Sequence, residues 1–279
     1  MATSDNRFRR AAAAPLSLLD TLGDQLWFYL RALAWTPRTL TRYLRETLRL
    51  LAEVSFGSGA LAVIGGTIGV MVGLSVFTGT VVGLQGFTAL NQIGTSAFAG
   101  FVSAYFNTRE IAPLVAGLAL SATVGSGFTA QLGAMRISEE IDALEVMGIP
   151  SLPYLVTTRI IAGFVAIVPL YVIGLLTSYL AARFITVEFY GQSAGTYDHY
   201  FNLFLPPVDV LWSFGKVLVF AVVNILTHCY YGYRASGGPA GVGIAVGRAV
   251  RTAIVTTSLL DFFLSLAIWG TTTTVRIAG

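Results

Sequence analysis

Long apolar stretches alternate with short polar segments over most of the chain. The longest of them has no charged residue between Val54 and Thr108. A helix needs roughly 20 apolar residues to cross the hydrocarbon core of a bilayer, and the pattern predicts five such helices. We place these spans at about Leu61–Leu84, Thr108–Ala134, Leu155–Ala182, Trp212–Tyr231 and Ala253–Trp269.

The connections between the predicted spans differ in composition. Gln85–Ser96 is polar and contains several glycines, which favours a turn or a re-entrant segment. We predict a polar, aromatic loop over Ile185–Asp209 and a glycine-rich loop over Gly232–Gly247. Pro169 is expected to interrupt the third span, because proline removes a helical hydrogen bond.

The N-terminal region carries mostly basic charge, interleaved with leucine and aromatic residues such as Trp27 and Trp35. A basic amphipathic helix with aromatic residues at its margins lies in the membrane interface. Packing of this helix on the rest of the protein is the alternative. Pro37 is expected to break or kink it. We therefore divide the chain into an interfacial region, 1–53, and a transmembrane domain, 54–279.

Composition agrees with a membrane protein. Of the 279 residues, 55% are hydrophobic and 11% are charged, and the mean hydropathy is +0.73. About a quarter of the residues in a soluble domain are charged. The predicted fold class is an all-α integral membrane protein: an N-terminal interfacial amphipathic helix, five transmembrane helices, and a short helix between the second and third spans.

The sequence offers little for catalysis or metal binding. His199 and His228 have no Cys, Asp or Glu at metal-ligand spacing, so we expect no metal site. The glycines between Gly241 and Gly247 follow no predicted strand and do not form a dinucleotide-binding fingerprint. The single Cys229 cannot form an intramolecular disulfide. Because there is no P-loop motif, any ATP hydrolysis must come from another chain, and we expect neither catalytic residues nor a cofactor here.

A short acidic segment, about 138–148, separates the second and third predicted spans. Taken as a helix over Ser138–Met147, it has one apolar stripe, formed by Ile137, Ile141, Leu144 and Met147. Its other faces carry Glu139, Glu140, Asp142 and Glu145. Such a helix is either a docking surface for a partner or a link that merely faces water.

Arg109 and Glu110 lie together at the start of the second predicted span, and Asp261 lies inside the fifth. Ionisable residues at membrane depth usually face a cavity or pair with each other. Arg109 and Glu110 are accordingly either a structural ion pair or a polar patch that meets a lipid headgroup. Asp261 is expected to bond to a Thr or Ser hydroxyl of a neighbouring span.

Small residues form a ridge on the first predicted span. Gly65, Gly69 and Gly73 recur every four residues. Such a ridge allows another helix backbone to approach closely. The pattern predicts close packing against a second helix but does not identify that helix.

The arginines predict the orientation in the membrane. Most of them lie in the N-terminal region, around the acidic segment and near Gly232–Gly247, while the other connections and the tail hold only Arg183, Lys216 and Arg276. Cytoplasmic loops carry the excess of Lys and Arg. We therefore expect a cytoplasmic N-terminus and acidic segment, and an extracytoplasmic C-terminus.

Several long motifs resemble one family. The stretch REIAPLVAG…GSGFTAQLGAMRISEEIDALEVMGI (109–149), followed by TRIIAG (158–163), resembles the MlaE/YrbE permease family of ABC lipid transporters. GQSAGTYDHYF (191–201) and CYYGYRASGGPAGVGIAVGRAVR (229–251) are similar to the B-type YrbE subunits of actinobacterial Mce systems. The resemblance covers roughly Arg45 to Ala267.

The resemblance implies roles for particular residues. The family's Arg-Glu-x-x-Pro pattern matches Arg109, Glu110 and Pro113, although Ala112 stands where better-known members have glycine. The acidic segment would be the coupling helix that sits in a cleft of the ATPase, through Glu139, Glu140, Ile141, Asp142, Leu144, Glu145 and Met147. A lipid cavity between two permease subunits would be lined by Arg109, Glu110, Gly69, Gly73, Val76 and Phe77.

The resemblance also implies an assembly in the plasma membrane. The partners would be a homologous A-type YrbE permease, an ABC ATPase dimer that binds ATP and Mg, and Mce-domain proteins that form a lipid conduit. The lipid, imported in Mce systems, would be a fatty acid, mycolate, sterol or phospholipid, and nucleic acid is not an expected partner. An ion-coupled secondary transporter and a non-transporting membrane scaffold are the alternatives.

Overall fold

The computed structural model describes residue 20 and residues 22–56 and 66–270. Every regular element in that part of the chain is helical. The helices are α1 (22–34), α2 (Thr36–Arg42), α3 (Leu44–Phe56), α4 (Thr67–Gln92), α5 (Ser96–Ile137), α6 (Glu140–Val146), α7 (Leu152–Phe189), α8 (Ala194–Leu203), α9 (Pro207–Tyr233) and α10 (Gly238–Trp269). Five of them, α4, α5, α7, α9 and α10, are long and apolar enough to cross a membrane. The predicted all-α class with five spans is confirmed.

The spans are longer than the hydropathy pattern predicts, and three predicted connections are partly helical. α4 continues to Gln92, so most of the predicted turn is helical. The predicted loop after the third span contains the end of α7 and all of α8, and α10 already begins at Gly238. These expectations were wrong because polar residues near helix ends find partners: Thr88 bonds to Tyr190 through their hydroxyls at 3.2 Å.

The short helix α8 is tied to the end of α7 by a salt bridge. Arg183 Nε donates to Asp198 Oδ1 at 2.8 Å, and Arg183 Nη2 donates to Asp198 Oδ2 at 3.0 Å. These hydrogen bonds lower the pKa of the Asp198 carboxyl below its usual value. The pair fixes the position of α8 against the end of α7.

The centre of the bundle is formed by α5, α7 and α9, with α4 packed on α7 and α10 packed on α9. Gly79 of α4 lies directly against the backbone of Ser178 in α7. In their most apolar stretches, 28% of the residues of α4 and 17% of those of α10 are buried, against 50 to 61% for the other spans. α4 and α10 therefore present the largest uncovered surfaces.

α1 has a packed face and an exposed face. Phe28 and Ala32 are buried; Phe28 contacts Tyr230 of α9 edge to face at 5.5 Å between ring centroids. The opposite side exposes Leu22, Leu26, Leu30 and Leu33. The helix ends at Ala34, and Trp35 separates it from α2, which has Pro37 in its first turn. The buried face agrees with the alternative in which the helix packs on the rest of the protein, and the exposed leucine face agrees with an interfacial helix. Its position in the membrane interface stays a prediction.

α5 and α9 run parallel and are joined by polar contacts in a constant register. Lys216 Nζ donates to the carbonyl oxygen of Arg109, and Asn224 Nδ2 donates to that of Gly117. His228 Nε2 lies 2.9 Å from Ser121 Oγ. Each pair is separated by 107 residues, so the register between α5 and α9 is the same along this contact.

α5 is not uniformly α-helical. It contains two π-helical segments, Ser103–Ile111 and Ser121–Gly125. Such segments are frequent at functional sites because they shift side chains and leave carbonyl groups free. The imidazole of His228 occupies the space beside Gly125 that a Cβ atom would need. Lys216 and His228 thus stabilise α5 at its two irregular places.

Candidate functional site

A cluster of charged side chains lies where α5, α9 and α10 meet, toward the end of the bundle opposite α6. It contains two cationic groups and three carboxylates: Arg109 and Glu110 of α5, Asp209 and Lys216 of α9, and Asp261 of α10. Arg109 and Glu110 belong to the first π-helical segment. Three helices therefore contribute charge to one place inside an otherwise apolar bundle.

Lys216 is buried at the centre of this charge cluster. Its Nζ donates to the backbone carbonyl of Arg109 at 2.6 Å and to Ser265 Oγ at 2.6 Å. The same nitrogen lies 2.7 Å from Asp261 Oδ1 and 3.6 Å from Glu110 Oε2. An ammonium group has three protons to donate. The carbonyl and the hydroxyl accept two of them, and the carboxylates of Asp261 and Glu110 form ion pairs with the same group.

Arg109 forms the second half of the cluster. Its Nε and Nη2 donate to Asp209 Oδ2 at 2.8 and 2.5 Å, and Trp269 Nε1 donates to Asp209 Oδ1 at 3.0 Å. The guanidinium carbon lies 4.0 Å from the ring centroid of Tyr105 and 5.1 Å from that of Trp269, distances at which a cation is attracted to an aromatic face. This half links α5 to the start of α9 and the end of α10.

Exposure separates Glu110 from the other members. The side chains of Arg109, Asp209, Lys216 and Asp261 are between 0 and 12% exposed, whereas that of Glu110 is 40% exposed. Buried charges are stable only when they are paired and hydrogen-bonded. Glu110 is therefore the member that a molecule outside the chain reaches most readily, and its carboxylate rests beside a fully buried ammonium group.

The sequence identified only part of this site. The expectation that Asp261 bonds to a hydroxyl was wrong, because Lys216 pairs with it. Sequence reasoning groups Lys216 with the residues of the connections when it assigns the orientation, although Lys216 lies within the fourth predicted span and within α9. It also assigns Asp209 to a loop. A single lysine within a long apolar stretch signals a functional polar site, so the sequence did contain a clue.

Arg109 and Glu110 each have a partner on α9, Asp209 and Lys216 respectively. The sequence considered them only as a pair with each other or as a headgroup-binding patch. The residues that flank Arg109 and Glu110 in the sequence do not reveal these partners, which lie about a hundred residues further along the chain. Whether Glu110 meets a lipid stays a prediction.

The α4 residues predicted to line a lipid cavity are Gly69, Gly73, Val76 and Phe77. The last three are exposed, and open space lies beside Gly73; Gly65 lies outside the described residues. The partners of Arg109 and Glu110 given above come from α9 and α10. The predicted cavity residues thus form two groups, an exposed face of α4 and part of the charge cluster.

The acidic segment forms the short helix α6. Glu139, just before the helix, has a left-handed backbone conformation with φ of 61°, which redirects the chain after α5. Gly148 has φ of 75°, and the N–H groups of Gly148 and Ile149 bond back to the carbonyls of Glu145 and Leu144. This is a common way to end a helix, and it sets the length of α6.

The apolar stripe predicted on α6 is divided between two surroundings. Ile141 is buried and Leu144 half-buried against the core of the chain itself. Met147 is 65% exposed, and the neighbouring Val146 is 90% exposed. Val146 and Met147, rather than Ile141, are the large apolar residues of α6 that another protein can reach.

The acidic residues of α6, Glu139, Glu140, Asp142 and Glu145, are all exposed. Three of them have side-chain partners within the chain. Arg136 Nη1 lies 2.6 Å from Asp142 Oδ1, Ser138 Oγ donates to Glu140 Oε1 at 3.0 Å, and Ser151 Oγ donates to Glu145 Oε1 at 2.6 Å. These contacts fix α6 relative to the ends of α5 and α7.

The fold and these two features define a multi-pass membrane protein that carries a buried charge cluster and an exposed acidic helix at opposite ends of the bundle. The model of the family described as Permease MlaE matches residues 56–267. The chain therefore belongs to the MlaE permease family and is a membrane permease.

Individual relatives agree with this assignment. A Rickettsia bellii protein named "Probable ABC transporter permease protein" is 31% identical over 184 residues, which is 66% of this chain and 70% of the relative. A Synechocystis protein with a similar name is 30% identical and covers 79% of this chain and 81% of the relative. The Arabidopsis thaliana protein TRIGALACTOSYLDIACYLGLYCEROL 1, chloroplastic, is 29% identical over 71% of this chain and 57% of its own length.

Proposed function

We propose that this chain is the transmembrane subunit of an ATP-driven lipid importer of the Mce type, and that it is a B-type YrbE permease of a bacterial plasma membrane. Membership of the MlaE family supports an ABC permease. One relative carries the name of a galactolipid, trigalactosyldiacylglycerol, which supports a lipid as the substrate. The ATP and Mg would be bound by a separate ATPase dimer, and Mce-domain proteins would continue the lipid path.

The observation that carries the lipid proposal is the exposure of Glu110 within an otherwise sealed charge cluster. A lipid has a polar headgroup and apolar chains, so its path needs a polar contact beside an apolar surface. Glu110 supplies that contact, and the uncovered sides of α4 and α10 supply apolar surface. A scaffold has no need of a half-exposed carboxylate beside a buried ammonium group.

Substitution of Glu110 tests this role. Glu110→Gln removes the charge and keeps the shape, and Lys216 retains its contacts with Asp261 and Ser265. We expect the variant to assemble normally, with a melting temperature close to that of the unchanged complex, and to lose most lipid transport. The measurement is uptake of a labelled lipid by reconstituted vesicles, together with thermal unfolding of the complex.

Glu188→Gln is the matched control. Glu188 is an exposed carboxylate at the end of α7, on the same end of the bundle, so its loss should leave transport unchanged. Loss of assembly in Glu110→Gln would instead assign the residue a structural role. Normal transport by Glu110→Gln would remove the basis for placing a lipid at this site.

The proposal includes pairing with a homologous A-type permease through the uncovered face of α4. Gly69 and Gly73 lie on α4, and a Cβ atom added at Gly73 would meet no atom of the chain within 4 Å. Gly73→Leu should therefore leave the fold intact but weaken the pairing, because a bulky residue prevents close backbone approach. Gly69→Leu should act in the same direction.

Copurification of the tagged chain with its partner permease measures this effect. Gly79→Leu is the comparison, because Gly79 packs on the backbone of Ser178 within the chain and its substitution should reduce folded protein itself. A normal yield of the partner with Gly73→Leu would show that this face of α4 is not the pairing surface.

The two alternatives have less support. An ion-coupled secondary transporter would use buried charges such as Lys216 and Asp261, but membership of an ABC permease family favours an ATPase partner. A non-transporting scaffold would be favoured by a complex in which the Glu110 substitution changes assembly and nothing else.

A further inference from the structure

A large cavity lies beside α6, at the end of the bundle opposite the charge cluster. Its volume is about 960 Å³. One wall is the face of α1 that carries Trp27 and Arg31, together with Trp35 at its end. The other walls are the connection 148–153 that leads into α7 and the connection 234–236 that leads into α10. Nothing in the proposed lipid path uses this cavity.

Cationic groups outnumber the carboxylates in its lining. Arg31, Arg136 and Arg234 face the cavity, against the two carboxylates of Asp24 and Glu145. Arg136 uses Nη1 for Asp142, and Arg234 approaches Asp24 at 3.4 Å through Nη1. A guanidinium group has five N–H donors, so both arginines keep donors for a ligand. Arg31 is exposed.

No carboxylate in the described part of the chain forms an ion pair with Arg31. The first turn of α7 adds to the positive field, since Ser151, Leu152 and Pro153 line the cavity and the start of a helix carries a partial positive charge. Glu145 is already held by Ser151 and Tyr233. The lining therefore favours a compact anion with several acceptor oxygens, such as a phosphate group.

The helix that forms one wall of the cavity indicates where such an anion comes from. α1, which forms one wall, exposes a stripe of Leu22, Leu26, Leu30 and Leu33. An exposed leucine stripe on a helix beside five membrane spans is typical of a helix at the boundary between headgroups and acyl chains. Trp27 and Trp35 in the lining agree with a position at this boundary, because tryptophan is enriched at membrane–water interfaces.

We propose that this cavity binds the phosphate-bearing headgroup of an anionic membrane phospholipid, as a site separate from the transported lipid. Its arginines hold the phosphate, and its aromatic residues contact the glycerol region. The bound headgroup would lie against Arg136 and the connection after α6, so that lipid composition on this side of the membrane affects the position of α6. The proposal does not depend on which lipid the protein moves.

The test is lipid binding to the complete purified complex after delipidation, measured by native mass spectrometry with phosphatidylglycerol and, separately, phosphatidylcholine. We expect phosphatidylglycerol to bind at least about tenfold more tightly. Both lipids carry a phosphate, but the quaternary ammonium of phosphatidylcholine is repelled by the arginines of the lining. Arg31→Gln should weaken binding of phosphatidylglycerol about tenfold. Arg234→Gln, a second change in the cavity, should act in the same direction if Arg31→Gln assembles poorly.

Arg45→Gln is the matched control, because Arg45 is an exposed arginine on α3 and does not line the cavity. It should leave binding unchanged. Equal binding of the two lipids to the unchanged complex would overturn the proposal, as would an equal loss with Arg45→Gln. Full displacement of phosphatidylglycerol by excess inorganic phosphate would also overturn it, in favour of a soluble phosphate ligand. An absence of phosphatidylglycerol binding to the complete complex would overturn it as well.

Discussion

Lys216→Met should destabilise the protein more than any other single substitution in the charge cluster. The ammonium group is buried and contacts Asp261, Ser265 and the carbonyl of Arg109. Methionine fills similar space but leaves the Asp261 carboxylate without its cationic partner. Removing one partner of a buried ion pair costs about 3–5 kcal/mol, a large share of the stability of a typical domain. We expect a sharp fall in folded yield and in melting temperature.

A double substitution distinguishes this cause from a simple packing defect. Lys216→Met with Asp261→Leu removes both charges, and replacing a buried ion pair by apolar residues is often neutral. Most of the lost stability should return, while transport should stay absent because Glu110 no longer has a cation beside it. Unchanged thermal stability of Lys216→Met alone would contradict the central position assigned to this lysine.

The second large effect is expected at α6, where Val146→Asp should separate the permease from its ATPase. Val146 is 90% exposed, so the fold of the chain itself has no need of this side chain. At an interface, however, an apolar anchor contributes about 2 kcal/mol or more, and a charge in an apolar groove adds a further cost. We expect the ATPase to be lost on copurification and lipid-stimulated ATP hydrolysis to fall to background.

Two other variants complete this experiment. Glu139→Gln removes one exposed charge and should weaken the ATPase contact by about 1 kcal/mol or less. Leu144→Asp does not separate an interface effect from a folding effect, although Leu144 belongs to the predicted stripe. The reason is that Leu144 is half-buried against the chain's own core. A complex of Val146→Asp that retains the ATPase and full activity would mean that α6 only links α5 and α7.

The short helix α6 shows where prediction from periodicity stops. The sequence correctly predicts a helix between the second and third spans, because proline, glycine and apolar spacing act over a few residues. It does not tell whether a stripe faces a partner or the same chain. Ile141 is buried because α6 folds back onto the ends of the spans, and only the packed structure contains that information.

The sequence by itself determined the five spans, since apolar runs of sufficient length form helices in a membrane whatever surrounds them. It also determined that Arg109, Glu110 and Asp261 are unusual, because charge in such runs is costly. Only the tertiary structure decided their partners. Lys216 contacts Arg109 and Asp261, each of which is more than forty residues away along the chain. The contact with Arg109 depends on the parallel register of α5 and α9. That register is a property of packed helices, and local sequence does not encode it.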